Sequence, residues 1–115
     1  PYLLAAHEFA AAGMADGYAR ATGRVGVVGV GPGPGVTNAL TGLGEALLDS
    51  VPVVAIVGDV ANGDKYRPFQ VHSLDTVGLL KPVTKCVTAV SDVRQMFSGV
   101  CRPRTYVKPV DTPVS

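Results

Sequence analysis

Two apolar, β-branched runs, "VGVVGV" at 25–30 and "PVVAIV" at 52–57, constrain this chain more than any other feature. Neither alternates apolar with polar residues, so each reads as a strand covered on both faces. Between them lies a helix-like stretch over about 37–49, "TNALTGLGEALLD", with Thr37 or Val36 near its start. Strand, helix, strand in this order is a βαβ unit, whose strands are parallel and whose crossover is right-handed. Asp49-Ser50 ahead of Val51-Pro52 reads as helix termination and strand entry.

Upstream, "AAHEFAAAGMADGYARAT" (5–22) reads as a helix, since its eight alanines favour one and Gly23 fits the C-terminal stop. Gly13 and Gly17 each cost about 1 kcal/mol relative to Ala in a helix interior. Close approach of another backbone is the expected compensation, in a helix buried on more than one side. Downstream, 61–73 is a polar loop too long for a simple connector. A short helical turn is expected at 74–80, a third strand at 83–90, and a helix start at 91–97 with Ser91 as N-cap. A last strand is expected at 105–108 and a frayed tail at 109–115. The expected fold is α/β, an incomplete doubly wound parallel sheet flanked by helices, in one partial domain over 1–115.

Of the 115 residues, 47% are apolar and 17% charged, which argues against disorder. A formal net charge of +1 and scattered Lys and Arg leave no field that would gather nucleic acid or a membrane surface. Cys86 and Cys101 form no CxxC pair, and with two distant histidines they make no zinc set. Both are read as small apolar core residues in a reducing compartment, with a disulfide between them as the minority reading. With no apolar run of membrane-spanning length and no basic-then-apolar leader, a cytoplasmic location is expected.

The loop "GVGPGPGVTN" (29–38) carries four glycines and two prolines at a strand-to-helix junction. GxGxxG fails in it, and no GK[ST] follows. It opens a helix, so free N–H groups and a positive dipole end are available to a ligand. Pro32 and Pro34 stiffen it, while Gly31, Gly33 and Gly35 let the backbone come close to a ring or an anion. A tight turn without a ligand is the other reading. His7-Glu8 lacks the second histidine of HExxH, because position 11 is Ala11. Glu8 is either an acid capping the helix start at the surface or a buried acid with a raised pKa. Phe69 and Gln70 read as loop residues, one an aromatic anchor, and Lys81 and Lys85 as surface lysines.

Three blocks together resemble a known family: "HEFAAAGMADGYARATGRVGV", "GPGVTNALTGLGEALLDSVPVVAIVGD" and "FQVHSLDTVGLLKPVTK". Over residues 2–92 the chain resembles the pyrimidine-binding, N-terminal domain of thiamine-diphosphate enzymes, above all the acetolactate synthase-like ones. The resemblance implies that Glu8 hydrogen-bonds N1′ of the cofactor's aminopyrimidine and favours its imino tautomer, whose N4′ acts as general base. It implies that Gly31, Pro32, Gly33, Pro34 and Gly35 lie against the cofactor, with Asn38 following at the helix start. Phe69 and Gln70 match a pair that faces the active site across a subunit interface, and Lys85 matches a lysine whose role is left open. The substrate implied is a 2-oxo acid and the cofactor thiamine diphosphate. Mg²⁺ is expected only through a diphosphate-binding domain, since no GDG-type magnesium segment occurs here and no metal ligands are assigned.

The chain departs from the family in starting after its first strand and helix and in a shortened helix after Ser91. It also reads Phe69-Gln70-Val71 where the family has FQE. By itself it is expected to be catalytically silent. A homo-oligomer, or a separate chain supplying the diphosphate-binding domain, is the expected partner, and an open sheet edge favours pairing too. The alternative is a non-enzymatic dimerising or regulatory module, or an inactive relic that keeps the fold.

Overall fold

A computed structural model describes residues 2–60, 70, 72–92, 94 and 95. Its elements are α1 (Glu8–Thr22), β1 (Gly26–Val30), α2 (Pro34–Leu48), β2 (Val53–Val57) and α3 (Thr76–Leu80), followed by a 3₁₀ turn at Lys81–Val83. The two strands pair in parallel, in register from Gly26 opposite Val53 to Val30 opposite Val57. The βαβ unit is therefore present, and the fold is α/β.

The core lies between the sheet and the helices. α1 contributes Ala12 and Ala15, β1 Val28 and Val30, α2 Val36, Ala39 and Leu43, and α3 Leu80. Their spacing along α1 and α2 is that of one helical face. Small residues let the layers approach closely. A Cβ on Gly26 would collide with the Ala15 carbonyl, and one on Gly42 would lie 2.7 Å from the Ala12 Cβ. The close approach thus occurs at Gly42, and not on the outer side of Gly13 and Gly17, where a Cβ would meet nothing within 4 Å.

α1 is accordingly buried on one side only, with Phe9, Met14 and Tyr18 exposed. Among the described residues, the strands are also covered on one face rather than two. Burial alternates along β1, and Val27 and Ile56 are about 60% exposed (61% and 60%) on the face opposite the described helices.

Local chemistry explains the element ends. Gly23 ends α1 in the left-handed conformation, φ 67°, with its N–H donating to the Ala19 carbonyl. α2 ends when Ser50 takes φ 58°, with Ser50 N–H donating to Leu47 O and Val51 N–H to Ala46 O, the Schellman pattern. Arg20 joins the helix ends through Asp16 at 2.8 Å and Asp49 at 2.6 Å. α2 starts at Pro34, one turn earlier than the sequence pattern places it. Proline is favoured in a first helical turn, because its missing N–H would have no partner there.

The strand expected at 83–90 does not form. Thr84 turns its hydroxyl back to the Leu80 carbonyl at 2.7 Å, and residues 85–90 have no regular structure. β-branched residues favour a strand only where a neighbouring strand receives them. Cys86, expected in the core, is exposed in this same stretch. Near the expected cap at Ser91, it is Asp92 whose carboxylate accepts the Arg94 N–H at 2.8 Å. Cys101, Phe69, most of the 61–73 loop, the expected strand at 105–108 and the tail at 109–115 lie outside the described residues.

Candidate functional site

The first turns of α1 and α2 meet at Glu8. His7 caps α1 by accepting the Phe9 N–H on Nδ1 at 3.2 Å, which leaves Glu8 as the first helical residue. A carboxylate is favoured there by the helix dipole. Glu8 is half-buried, and its Oε2 accepts from the Asn38 side-chain amide at 3.2 Å. Its other oxygen, Oε1, lies 3.3 Å from where a Cβ on Gly35 would stand. Residues 8, 35 and 38, distant in sequence, thus form one cluster.

The electrostatics separate the two readings of Glu8. Its own backbone N–H, then the Asn38 amide, hold the carboxyl below the ordinary glutamate value, against a smaller opposing effect of burial. Glu8 is an ionised carboxylate at a helix start and not a buried acid with a raised pKa. Hydrogen bonds to the charged form outweigh desolvation because the group is only partly removed from water.

The Gly-rich loop is short and fixed at both sides. Gly58 N–H donates to the Val30 carbonyl at 3.0 Å, and Pro32 packs against Gly58. Gly33, with φ 63°, caps α2, and a Cβ on it would come within 2.8 Å of the His72 Cα. The segment around His72 therefore crosses directly over the loop. Gly31 and Pro34 are exposed. The expected anion cradle is mostly taken up, since Pro34 has no N–H and those of Val36 and Thr37 donate to the Gly33 carbonyl.

Gln70 is half-buried on the segment that crosses Gly33, and its carbonyl accepts the Ser73 N–H. Lys85 is exposed and has no hydrogen bond to Glu8 or Asn38. Among the described residues, no group of three His, Cys, Asp or Glu stands ready to hold a metal, and no helix is long and apolar enough to cross a membrane. The residues that sequence reasoning missed are His72, whose backbone closes over Gly33, and Gly42. Gly42 also lines a groove of about 300 Å³ with Phe9, Asp16 and Glu45. The four-residue spacing of Asp16 and Arg20 is the local signal that could have marked an ordered carboxylate there.

A family model described as thiamine pyrophosphate enzyme, N-terminal TPP binding domain, matches residues 1–79. The chain belongs to this family. Glu8, the Gly31–Gly35 loop, Asn38, Phe69 and Gln70 fall inside the matched part of the TPP-binding domain, and Lys85 falls outside it.

The chain is 49% identical over 85 residues to the acetolactate synthase large subunit of Buchnera aphidicola subsp. Schizaphis graminum, covering 73% of the chain and 14% of that protein. It is 52% identical over 100 residues to the acetolactate synthase isozyme 3 large subunit of Escherichia coli, covering 84% of the chain and 17% of that protein. With the isozyme 2 large subunit of the same organism the identity is 41% over 123 aligned positions, covering 97% of the chain and 22% of that protein. The chain thus spans less than a quarter of the length of these relatives of its TPP-binding family.

Proposed function

We propose that this chain is the aminopyrimidine-binding part of an acetolactate synthase-like 2-oxo acid decarboxylase or carboligase, with Glu8 as the group that hydrogen-bonds the ring of thiamine diphosphate. The observation that carries this reading is the Glu8 carboxylate, held by Asn38 on one oxygen and bordered by Gly35 at the other. The donor set fits an aminopyrimidine. An ionised carboxylate only accepts hydrogen bonds, so Glu8 selects a ring nitrogen that carries a proton and stabilises that protonated form. The absence of a side chain at Gly35 keeps the space beside Oε1 open. Gly31 is the exposed end of a loop fixed by Gly58 and the His72 segment, and it leaves a rigid edge that a flat ring can approach. When bound, thiamine diphosphate supplies the electron sink for decarboxylating a 2-oxo acid.

The relatives are several times longer than this chain, so the diphosphate and Mg²⁺ are assigned to residues outside it, on the same polypeptide or on another chain. Catalysis then needs those residues, supplied by the same polypeptide, by a homo-oligomer or by a partner that completes the site, and these 115 residues by themselves are silent. Calorimetry with thiamine diphosphate and Mg²⁺ tests the reading. The wild type is expected to bind, and Glu8→Gln to bind about tenfold more weakly, as loss of a hydrogen bond to a charged group implies. No binding by the wild type, or equal binding by both, refutes it.

A second reading, a dimerising or regulatory module, is favoured by the exposed Phe9, Met14 and Tyr18 on the outer face of α1. Sedimentation shows which is right about that face: a strict monomer at high concentration removes its support.

A further inference from the structure

We infer that Asn38 is a positioning residue for Glu8: its amide engages Oε2, so that Oε1 alone is presented at the first turn of α2. The inference rests on the reading of Glu8 as the ring-binding group, and it gives Asn38 a role through Glu8 rather than on the cofactor itself.

The contact joins elements 30 residues apart in sequence, at 3.2 Å, between two half-buried side chains. Asn38 lies one helical turn beyond Gly35, so both occupy the α2 face that meets the start of α1. Gly35 provides the space and Asn38 the anchor. A side chain at 35 would press on the carboxylate, its Cβ lying 3.3 Å from Oε1 and 3.7 Å from both Cδ and Cγ. Without the amide, the carboxylate would keep only the hold of its own backbone N–H, and completing its orientation would fall to the ligand at a loss of affinity. Charge on neighbouring elements does not do this work. The first turn of α2 carries neither acid nor base, and His7, the N-cap beside Glu8, uses its Nδ1 to accept the Phe9 N–H. An amide is suited to the task, because it donates to the carboxylate without adding charge that would compete for the ring.

The test is a ¹³C-carboxyl NMR titration of Glu8 in wild type, Asn38→Ala and Asn38→Asp, with thiamine diphosphate binding measured on the same samples. The Glu8 midpoint is expected to rise in Asn38→Ala and to rise further in Asn38→Asp, where a second carboxylate faces it. Binding is expected to weaken about tenfold in Asn38→Ala. A purely structural role would lower stability and leave the midpoint in place, so an unmoved midpoint in a folded Asn38→Ala overturns the inference. Should that variant not fold, the near-isosteric Asn38→Asp decides on the same criterion. A shifted midpoint with no cofactor binding to the wild type keeps the hold of Asn38 on Glu8 and overturns the assigned ligand.

Discussion

Two glycines of α2 lie two residues apart and meet different surroundings, which makes them a controlled pair. A Cβ at Gly44 would meet the Val83 side chain at 3.6 Å, an ordinary contact. A Cβ at Gly42 would stand 2.7 Å from the Ala12 Cβ and 3.3 Å from both the Ala12 carbonyl carbon and the Gly13 nitrogen. Both substitutions to Ala gain the same helix propensity, about 1 kcal/mol. At position 44 nothing opposes it, so Gly44→Ala is expected to stabilise by about that amount. At position 42 the new methyl falls well inside the optimal carbon–carbon separation of about 3.5–4.0 Å. α2 must then retreat from α1 by roughly 1 Å, and overpacking of this kind costs about 1–3 kcal/mol. Propensity cancels between the variants, so the overpacking cost is their difference: about 1–3 kcal/mol, with Gly42→Ala the weaker. Urea unfolding followed by far-UV circular dichroism reads this as separated midpoints at a common slope. Coincident midpoints would refute the close crossing of α1 and α2.

Other expectations concern Glu8 and Cys86. The Glu8 carboxyl is depressed below its ordinary value of 4.5, so its stabilising contribution is fully present above that value and is lost as pH falls through the folded-state value. The stability difference between wild type and Glu8→Gln should therefore be flat near neutrality and shrink in acid. Urea midpoints measured from pH 7 to pH 3 check this, and a gap that widens in acid contradicts the assigned shift. Cys86 is exposed, so a thiol reagent should label it in the folded chain about as fast as in urea. Strong protection in the native state would put it in a core after all.

The βαβ unit was legible because "VGVVGV" and "PVVAIV" are too apolar and too β-branched to be anything but buried strands, and the stretch between them has helical composition. Their one-sided burial was not legible. An unbroken apolar run shows that both faces tolerate burial, but not whether a layer is present on each. The start of α2 was misplaced because Pro34 and Gly35 look like loop residues, although proline at N1 is normal helix chemistry. Residues 83–90 have strand composition, but among the described residues no strand pairs with them. The Glu8–Asn38 contact was hidden for another reason: no local pattern couples residues 30 apart, and only resemblance to the family marked both. That resemblance did not foretell their contact, which comes from the crossing of α1 and α2 at small residues.

The uncovered face of the sheet, with Val25, Val27, Val54 and Ile56 exposed, has a consequence in mass action. A molecule that covers this face and ignores the unfolded chain raises stability by RT ln(1 + [L]/Kd), about 2.7 kcal/mol at one hundred times its dissociation constant. The melting temperature of this chain is then a function of what else is in the tube. A value measured on the chain alone is the floor of that function, and its slope against the concentration of a candidate partner is a direct reading of affinity.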